Sequence, residues 1–256
     1  MKKVLMLLIL LISSAFPAFA EDPVKDENRS FYTGNVYYEK KDYAKAMQNY
    51  RAALEMGIES GNLYYNMGNA YLRMGKIGYA MLFYEKAMRL IPQDGDLKSN
   101  MVYAKAFLPG ASAPGPSGFS FIASLIKSPF GDLNLNAVAI MAILFYLLSV
   151  CMAILFLITP FFAKKLKILF ALTVFAFLWS GVVFGVRYYE EEVLKKGVVV
   201  IKTADAKYEP VESSTTYYKI QEGDEVTILG TREGWRHIRR QDGKSAWVGE
   251  AAVEEV

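Results

Sequence analysis

The chain has few of the side chains on which most catalytic and metal centres depend, since its 256 residues include one cysteine and one histidine. Nucleophilic triads, zinc sites and most proton relays need these residue types in combination. The single cysteine, Cys151, also excludes an intramolecular disulfide. A glycine-rich phosphate-binding loop is absent as well. We therefore expect no catalytic residue, no metal ion and no cofactor, and the sequence favours a protein that is not an enzyme.

A large excess of charge of either sign is lacking too, because 29 basic and 26 acidic side chains give a net charge of +3. This balance gives no basis for nucleic-acid binding. Two of the positive charges, Lys2 and Lys3, precede a short apolar run and the small-residue triplet Ala18-Phe19-Ala20. This order predicts a secretory signal peptide at residues 1–20, cleaved after Ala20, and the alternative is an uncleaved anchor.

Charge is missing altogether from two long stretches. The segment between Asp132 and Lys164 is uncharged, and so is the segment from 168 to 186. About twenty helical residues cross a bilayer core, so we predict transmembrane helices at 137–158 and 168–186. Two buried core helices are the alternative, but they would need a larger soluble domain around them.

The connector at 159–167 carries three lysines, which are Lys164, Lys165 and Lys167. Lysine-rich short loops remain in the cytoplasm, so both flanking domains are expected on the opposite side of the membrane. An exported N-terminus predicts the same topology. Residues 109–136 precede the first span and combine a Pro/Gly/Ser linker with an apolar segment, which we interpret as a helix lying in the membrane interface or as a tether.

An internal repeat occupies the N-terminal third of the chain. The interval from Gly34 to Gly68, which we call the repeat interval, also separates Asn35 from Asn69 and Tyr37 from Tyr71. It likewise separates Ala46, Tyr50 and Ala53 from Ala80, Tyr84 and Ala87. This period and this order of Gly, Tyr and Ala resemble the tetratricopeptide pattern of two antiparallel helices per unit. We predict an all-α solenoid at 21–108, with repeats at 27–60 and 61–94 and a capping helix at 95–108.

Candidate binding residues follow from this register. The first helix of each tetratricopeptide unit lines a concave groove, and Asn35 and Asn69 occupy equivalent positions there, with Tyr38 and Arg73 about one turn further on. A carboxamide can donate to and accept from the backbone of an extended peptide. We therefore name Asn35, Tyr38, Asn69 and Arg73 as candidate peptide-binding residues; the alternative is that asparagine is simply common at this place in the repeat.

The end of the chain changes to short runs rich in Val, Ile, Thr and Tyr, separated by turn sequences such as "QEGDE", "REGW" and "QDGKS". Five such runs predict a small all-β domain at 197–256. The stretch "EGDEVTILGTREGWRHIRRQDGKSAWVGEAAV" resembles bacterial SH3-like domains, which implies a small barrel. His237 lies in one of these strands among arginines, where we expect a structural or solvated role.

Together these parts predict a multidomain membrane protein. Their order along the chain resembles that of the BatE proteins of bacterial aerotolerance (Bat) operons. The resemblance implies an inner-membrane protein with both terminal domains in the periplasm, acting beside von Willebrand factor A-type Bat proteins and a MoxR-type ATPase in stress tolerance. The expected function is a non-catalytic scaffold that binds protein partners in its repeat groove. The alternative is a cell-wall sensor that binds peptidoglycan through its SH3-like domain.

Overall fold

The computed structural model describes residues 28–108, 133–158 and 164–256. The predicted signal peptide at 1–20, the segment at 109–132 and the loop at 159–163 lie outside these residues. The side chains of Lys164 and Lys165, on which the predicted topology depends, lie outside the described part as well.

The first described part is an array of five helices. They are α1 (Asn28–Glu39), α2 (Tyr43–Glu55), α3 (Gly61–Arg73), α4 (Ile77–Leu90) and α5 (Gly95–Lys105). The side chains of Asp42, Ser60 and Asp94 accept hydrogen bonds from backbone amides in the first turns of α2, α3 and α5. Such caps satisfy amides that have no partner inside the helix. Lys76, which precedes α4, makes no side-chain cap.

Each helical pair is held by a tyrosine ring lying on a glycine. A Cβ atom at Gly34 would collide with the Tyr50 ring, and one at Gly68 would lie 2.5 Å from the Tyr84 ring. Both tyrosines are fully buried. The helices can approach this closely only because glycine has no side chain, which explains why the glycine recurs at the repeat interval. The repeated inward-facing residues Ala46, Ala53, Ala80 and Ala87 are also fully buried, as the sequence predicts.

Helix α5 continues the same register into an incomplete third unit. Leu97, Asn100, Met101 and Ala104 follow Leu63, Asn66, Met67 and Ala70 at the repeat interval. The positions that would contact a further helix differ, because Lys98, Val102 and Lys105 replace Tyr64, Gly68 and Tyr71. Val102 is 71% exposed, whereas the equivalent Gly68 is buried under Tyr84. Helix α5 therefore ends the array.

Two long apolar helices follow, α6 (Leu135–Ile158) and α7 (Lys164–Tyr188), and a π-helical turn at Tyr189–Val193 continues α7. They pack side by side. The segments Leu135–Leu155 and Lys167–Val193 are long and apolar enough to span a membrane. Near the end of α7, the buried Arg187 donates a hydrogen bond to the carbonyl of Leu133, just before α6 begins.

The C-terminal part is an antiparallel sheet of seven strands. They are β1 (Lys196–Val199), β2 (Thr203–Lys207), β3 (Thr216–Gln221), β4 (Glu225–Arg232), β5 (Trp235–Arg240), β6 (Ser245–Gly249) and β7 (Val253–Glu255). Their order is β3-β2-β6-β5-β4-β1-β7, so β3 and β7 are edges and the sheet is not closed. The antiparallel β domain is as expected, but the SH3-like barrel is not confirmed. Five runs predicted five strands; the short strands β2 and β7 were missed.

The sheet packs directly on the helical array through α4 and β1. Val198 and Val200 share one hydrophobic core with the buried residues of the repeats. The Gly78 amide in the first turn of α4 donates to the Glu222 carboxylate at 2.7 Å, and Lys105 pairs with Glu225 at 3.2 Å. The β domain therefore supplies the cap that Lys76 does not provide.

The opposite end of α4 meets the ends of the two apolar helices. The Asn134 side chain, one residue before α6, donates to the Leu90 carbonyl at 3.2 Å. Arg89 lies 3.5 Å from the Glu192 carboxylate in the turn after α7, and it also donates to the carbonyl of Val256 at 3.1 Å. Helix α4 thus contacts both the apolar helical pair and the β domain.

Candidate functional site: the groove across the first helices

A groove runs across α1, α3 and α5. It encloses about 560 Å³, and we call it the concave groove. Its lining residues come from the first helix of each unit, from the turn after α3 with the first residue of α4, and from the segment after α5: Tyr38, Tyr65, Asn69, Leu72, Arg73, Gly75, Ile77, Asn100, Tyr103 and Phe107. Three of the four sequence-predicted residues, Tyr38, Asn69 and Arg73, therefore lie together.

The two repeated asparagines have intramolecular hydrogen bonds that the sequence did not reveal. The Asn69 carboxamide oxygen accepts from the Tyr84 hydroxyl at 2.7 Å and from the Asn100 amide at 2.8 Å. The Asn35 oxygen accepts from Tyr50 and Asn66 in the same way, at 2.9 Å each. Asn35 is not among the residues that line the groove. These oxygens join the first helix of one unit to its own second helix and to the next unit.

Burial of the two tyrosines raises the pKa of the Tyr50 and Tyr84 hydroxyls, because the charged form would lose its hydration. The hydroxyls therefore stay protonated and act as donors to the asparagine oxygens. This fixes each carboxamide with its oxygen towards the protein. A role for Asn35 and Asn69 in peptide binding stays a prediction, and it now concerns only the amide nitrogens.

Arg73 is the one charged residue among those described that line the concave groove. It is exposed, and hydrogen bonding to the Tyr38 hydroxyl raises the pKa of its guanidinium. The remaining lining is mainly aromatic and aliphatic. The groove can therefore offer one positive charge beside aromatic rings, aliphatic side chains and the amides of Asn69 and Asn100.

Seven of the ten lining residues were not predicted from the sequence, and Tyr103 and Phe107 are two of them. Tyr103 and Phe107 are 58% and 56% exposed and contact each other edge to face, with ring centroids 4.9 Å apart. They follow Asn69 and Arg73 at the repeat interval, so they hold the same positions in the incomplete third unit. Extending the repeat register through α5 would have identified both, although neither residue type is retained.

Comparison with known families agrees with this geometry. Residues 34–75 match the TPR repeat model, and residues 61–94 match the tetratricopeptide repeat model. The helical array contains tetratricopeptide repeats. No curated protein matches the chain. Tetratricopeptide (TPR) repeats are in general interaction modules without enzymatic activity, so the repeats indicate a protein that binds other proteins.

Groups that could perform other chemistry are sparse in the described part of the chain. No cluster of three or more metal-ligating side chains occurs within residues 28–108, 133–158 and 164–256. His237 stacks on Trp247 with ring centroids 4.7 Å apart, and burial together with the charge of Arg239 lowers its pKa. This shift favours the neutral imidazole, which takes part in an aromatic surface on the sheet.

The aromatic surface on the sheet is formed by residues of two strands. Trp235, His237 and Trp247 lie on neighbouring strands β5 and β6, and His237 and Trp247 are directly opposite in the register. The ammonium group of Lys207 lies over the Trp235 ring at 5.3 Å. Aromatic faces with an adjacent cation can stack on sugar rings or on apolar side chains.

Proposed function

We propose that the protein is a non-catalytic scaffold of the bacterial inner membrane that binds a segment of a partner protein in the concave groove of its TPR array. The observation that carries the proposal is the groove itself. It brings exposed Arg73, Tyr103 and Phe107 together with Asn69 on one surface, in repeats of a family that mediates protein interactions.

The packing of α4 supports a scaffold role. The back of the array is covered by β1, and the end of α4 contacts the residue before α6 and the turn after α7. No residue of the β domain is among the described residues that line the concave groove. A partner bound there would be held close to the apolar helices, which we propose cross the membrane.

The proposed topology places the repeats and the β domain in the periplasm. It is supported by the lysines Lys164, Lys165 and Lys167 in the first turn of α7, at the end that faces the connector from α6. Alkaline phosphatase fused after Val256 should then be active, and the same enzyme fused after Lys165 should be inactive. The opposite pattern would overturn the localisation.

The order of repeats, apolar helices and β domain supports a place among Bat aerotolerance components. On that proposal the partners are von Willebrand factor A-type Bat proteins and a MoxR-type ATPase system. Cross-linking in cells, followed by purification in detergent and mass spectrometry, tests it. Replacing Leu72 in the groove with arginine should abolish capture, whereas Val102→Arg, on the face of α5 outside the groove, should not. Equal capture by both variants would exclude the groove.

The aromatic surface of the sheet favours a second function, peptidoglycan binding by a domain of SH3-like type. Trp247 is partly exposed and has His237 stacked on one side of its ring, and a tryptophan ring beside polar groups suits stacking on a sugar ring. The full chain in detergent should then sediment with purified peptidoglycan, and Trp247→Ala should release it. Sedimentation that is absent, or unaffected by the substitution, would leave the TPR groove as the proposed binding site.

A further inference from the structure

The concave groove changes character from one unit to the next. At the position that Arg73 occupies in α3, α1 carries Glu39 and the third unit carries Phe107. At the position of Asn69, the third unit carries Tyr103. Successive units therefore carry an acidic, a basic and an aromatic side chain at equivalent positions, of which Arg73 and Phe107 line the groove. The groove is not uniform, so a partner must match it in one register.

The spacing between these positions sets the spacing of the matching residues in a partner. Packed helices lie about 8–10 Å apart, and an extended chain advances about 3.3 Å per residue. About three partner residues therefore separate the side chain that faces Arg73 from the side chain that faces Phe107. This follows from the side-by-side arrangement of the first helices across the groove floor.

The chemistry at the two positions differs sharply. Arg73 is exposed and is the one charged residue of the described groove lining, so it offers a cation to a ligand. Tyr103 and Phe107 are more than half exposed and line the groove together with Leu72 and Ile77, so they offer an apolar surface. A carboxylate suits the first position, and a large apolar side chain suits the second.

From this geometry we infer that the groove binds an internal, extended segment of a partner protein that carries Asp or Glu opposite Arg73 and, about three residues away, a large apolar residue against Tyr103 and Phe107. The inference rests on the proposed function and names its ligand class. An internal segment fits better than a chain terminus, because Arg73 stands in the middle of the groove, between Tyr38 at one end and Phe107 at the other.

A display library of random heptapeptides between fixed Gly-Ser flanks tests the ligand class. The full chain in detergent is the bait, and the bound sequences are read by sequencing. Wild type should enrich Asp or Glu together with Leu, Met, Phe or Trp about three positions away. Arg73→Lys should keep the acidic preference. Arg73→Glu should replace it with Lys or Arg and weaken binding of an enriched acidic peptide roughly tenfold, while the apolar preference remains.

Phe107→Ser should produce the complementary result, with the acidic preference kept and the apolar preference lost. Val102→Arg is the matched surface control and should enrich the same sequences as wild type. If one preference, acidic or apolar, changes while the other is retained, the change cannot be due to unfolding of the protein. Circular dichroism of each variant checks the fold. An acidic preference that is absent in wild type, or unchanged in Arg73→Glu, would overturn the inference.

Two further arms separate the alternatives. In a second library the random residues form the C-terminus of the peptide and end in a free carboxylate. If this library enriches sequences without an internal Asp or Glu, the inference that the ligand is an internal segment is overturned. The Leu72→Arg capture experiment tests the groove independently of ligand class. If Leu72→Arg loses partner capture but the libraries show neither the acidic nor the apolar preference, only the ligand class is refuted. If Leu72→Arg captures partners as wild type does, the proposed function itself is refuted.

Discussion

The Glu222 carboxylate accepts a hydrogen bond of 2.7 Å from the amide of Gly78, which lies far earlier in the chain. Gly78 lies in the first turn of α4, where backbone amides lack partners inside the helix. The acceptor comes from the turn between β3 and β4, so a residue of the β domain completes the cap of a repeat helix. The electrostatics of a helix N-terminus also favour a negative charge at this place.

Removing this cap should destabilise the repeats. Glu222→Ala is expected to lower the free energy of unfolding by about 0.5–2 kcal/mol, the usual cost of losing an N-terminal cap. Hydrogen exchange at the amides of residues 78–80 should accelerate in the full chain. Glu212→Ala is the matched control, because Glu212 is exposed and pairs with Lys207 within the β domain. Equal exchange in both variants would show that Glu222 does not cap α4.

The contact at Gly78 leaves no room for a side chain. A Cβ atom there would lie 2.6 Å from the carbonyl oxygen of Val199 and 2.8 Å from the Cα atom of Val200, both of which are backbone. Gly78→Ala should therefore cost about 1–3 kcal/mol, as overpacking usually does, and separate α4 from β1.

Gly95→Ala is the control, since Gly95 lies in the first turn of α5 with open space around its Cβ position. It should be neutral or stabilising by about 0.4–1 kcal/mol. Thermal unfolding followed by circular dichroism measures both variants. Similar melting temperatures for the two would contradict the close approach.

The asparagine network makes a prediction of its own. Tyr84→Phe removes the donor to the Asn69 oxygen and should cost about 0.5–1.5 kcal/mol. Tyr32→Phe alters an exposed ring and should cost little. In a double-mutant cycle, Asn69→Ala and Tyr84→Phe should show coupling, because each removes the same hydrogen bond. Additive effects would mean that the two side chains act independently.

Stability should depend on pH through Glu85. The pKa of Glu85 is raised to about 7, mainly because the carboxyl is buried and to a smaller extent because of the nearby charge of Glu225. Lys105 and Lys196 partly oppose this shift. A carboxyl whose pKa is higher in the folded state stabilises the fold most below its unfolded pKa of about 4.5 and loses that contribution as the pH rises through about 7. Wild type should thus lose stability between about pH 5 and 7.

Glu85→Gln should flatten this part of the pH profile and raise the melting temperature relative to wild type above about pH 7. Glu39→Gln, at an exposed position at the end of α1, serves as the control and should leave the profile unchanged. Melting curves across this pH range make the comparison. Parallel profiles for wild type and Glu85→Gln would exclude Glu85 as the source.

The repeats were predictable because packing fixes residue types at a constant interval. Gly34 and Gly68 must lack a side chain under Tyr50 and Tyr84, so the same letters recur. Strand β2 was missed because it includes Asp205 and Lys207, and β7 because it is short and includes two glutamates. Strand β2 alternates Ala204 and Ala206 with polar residues, but alanine is depleted in strands and gives a weak apolar signal, and β7 is too short to show a period.

The candidate site was predictable only in part, for a related reason. Tyr38, Asn69 and Arg73 were found because they belong to the two complete repeats. Tyr103 and Phe107 hold equivalent positions but differ in residue type, so a search for identical letters passes over them. The hydrogen bonds of Asn35 and Asn69 join residues 15 and 31 positions apart, and no local pattern encodes them.

Residues 109–132 are the covalent link between the repeats and the rest of the protein, yet α4 already contacts Asn134, Glu192 and Glu222 across that link. The two pieces share a hydrophobic core through Val198 and Val200. Residues 1–108 and 133–256 should therefore assemble when produced as two separate chains in the same cell, in the manner of a split protein, and a cut between them should leave the complex intact.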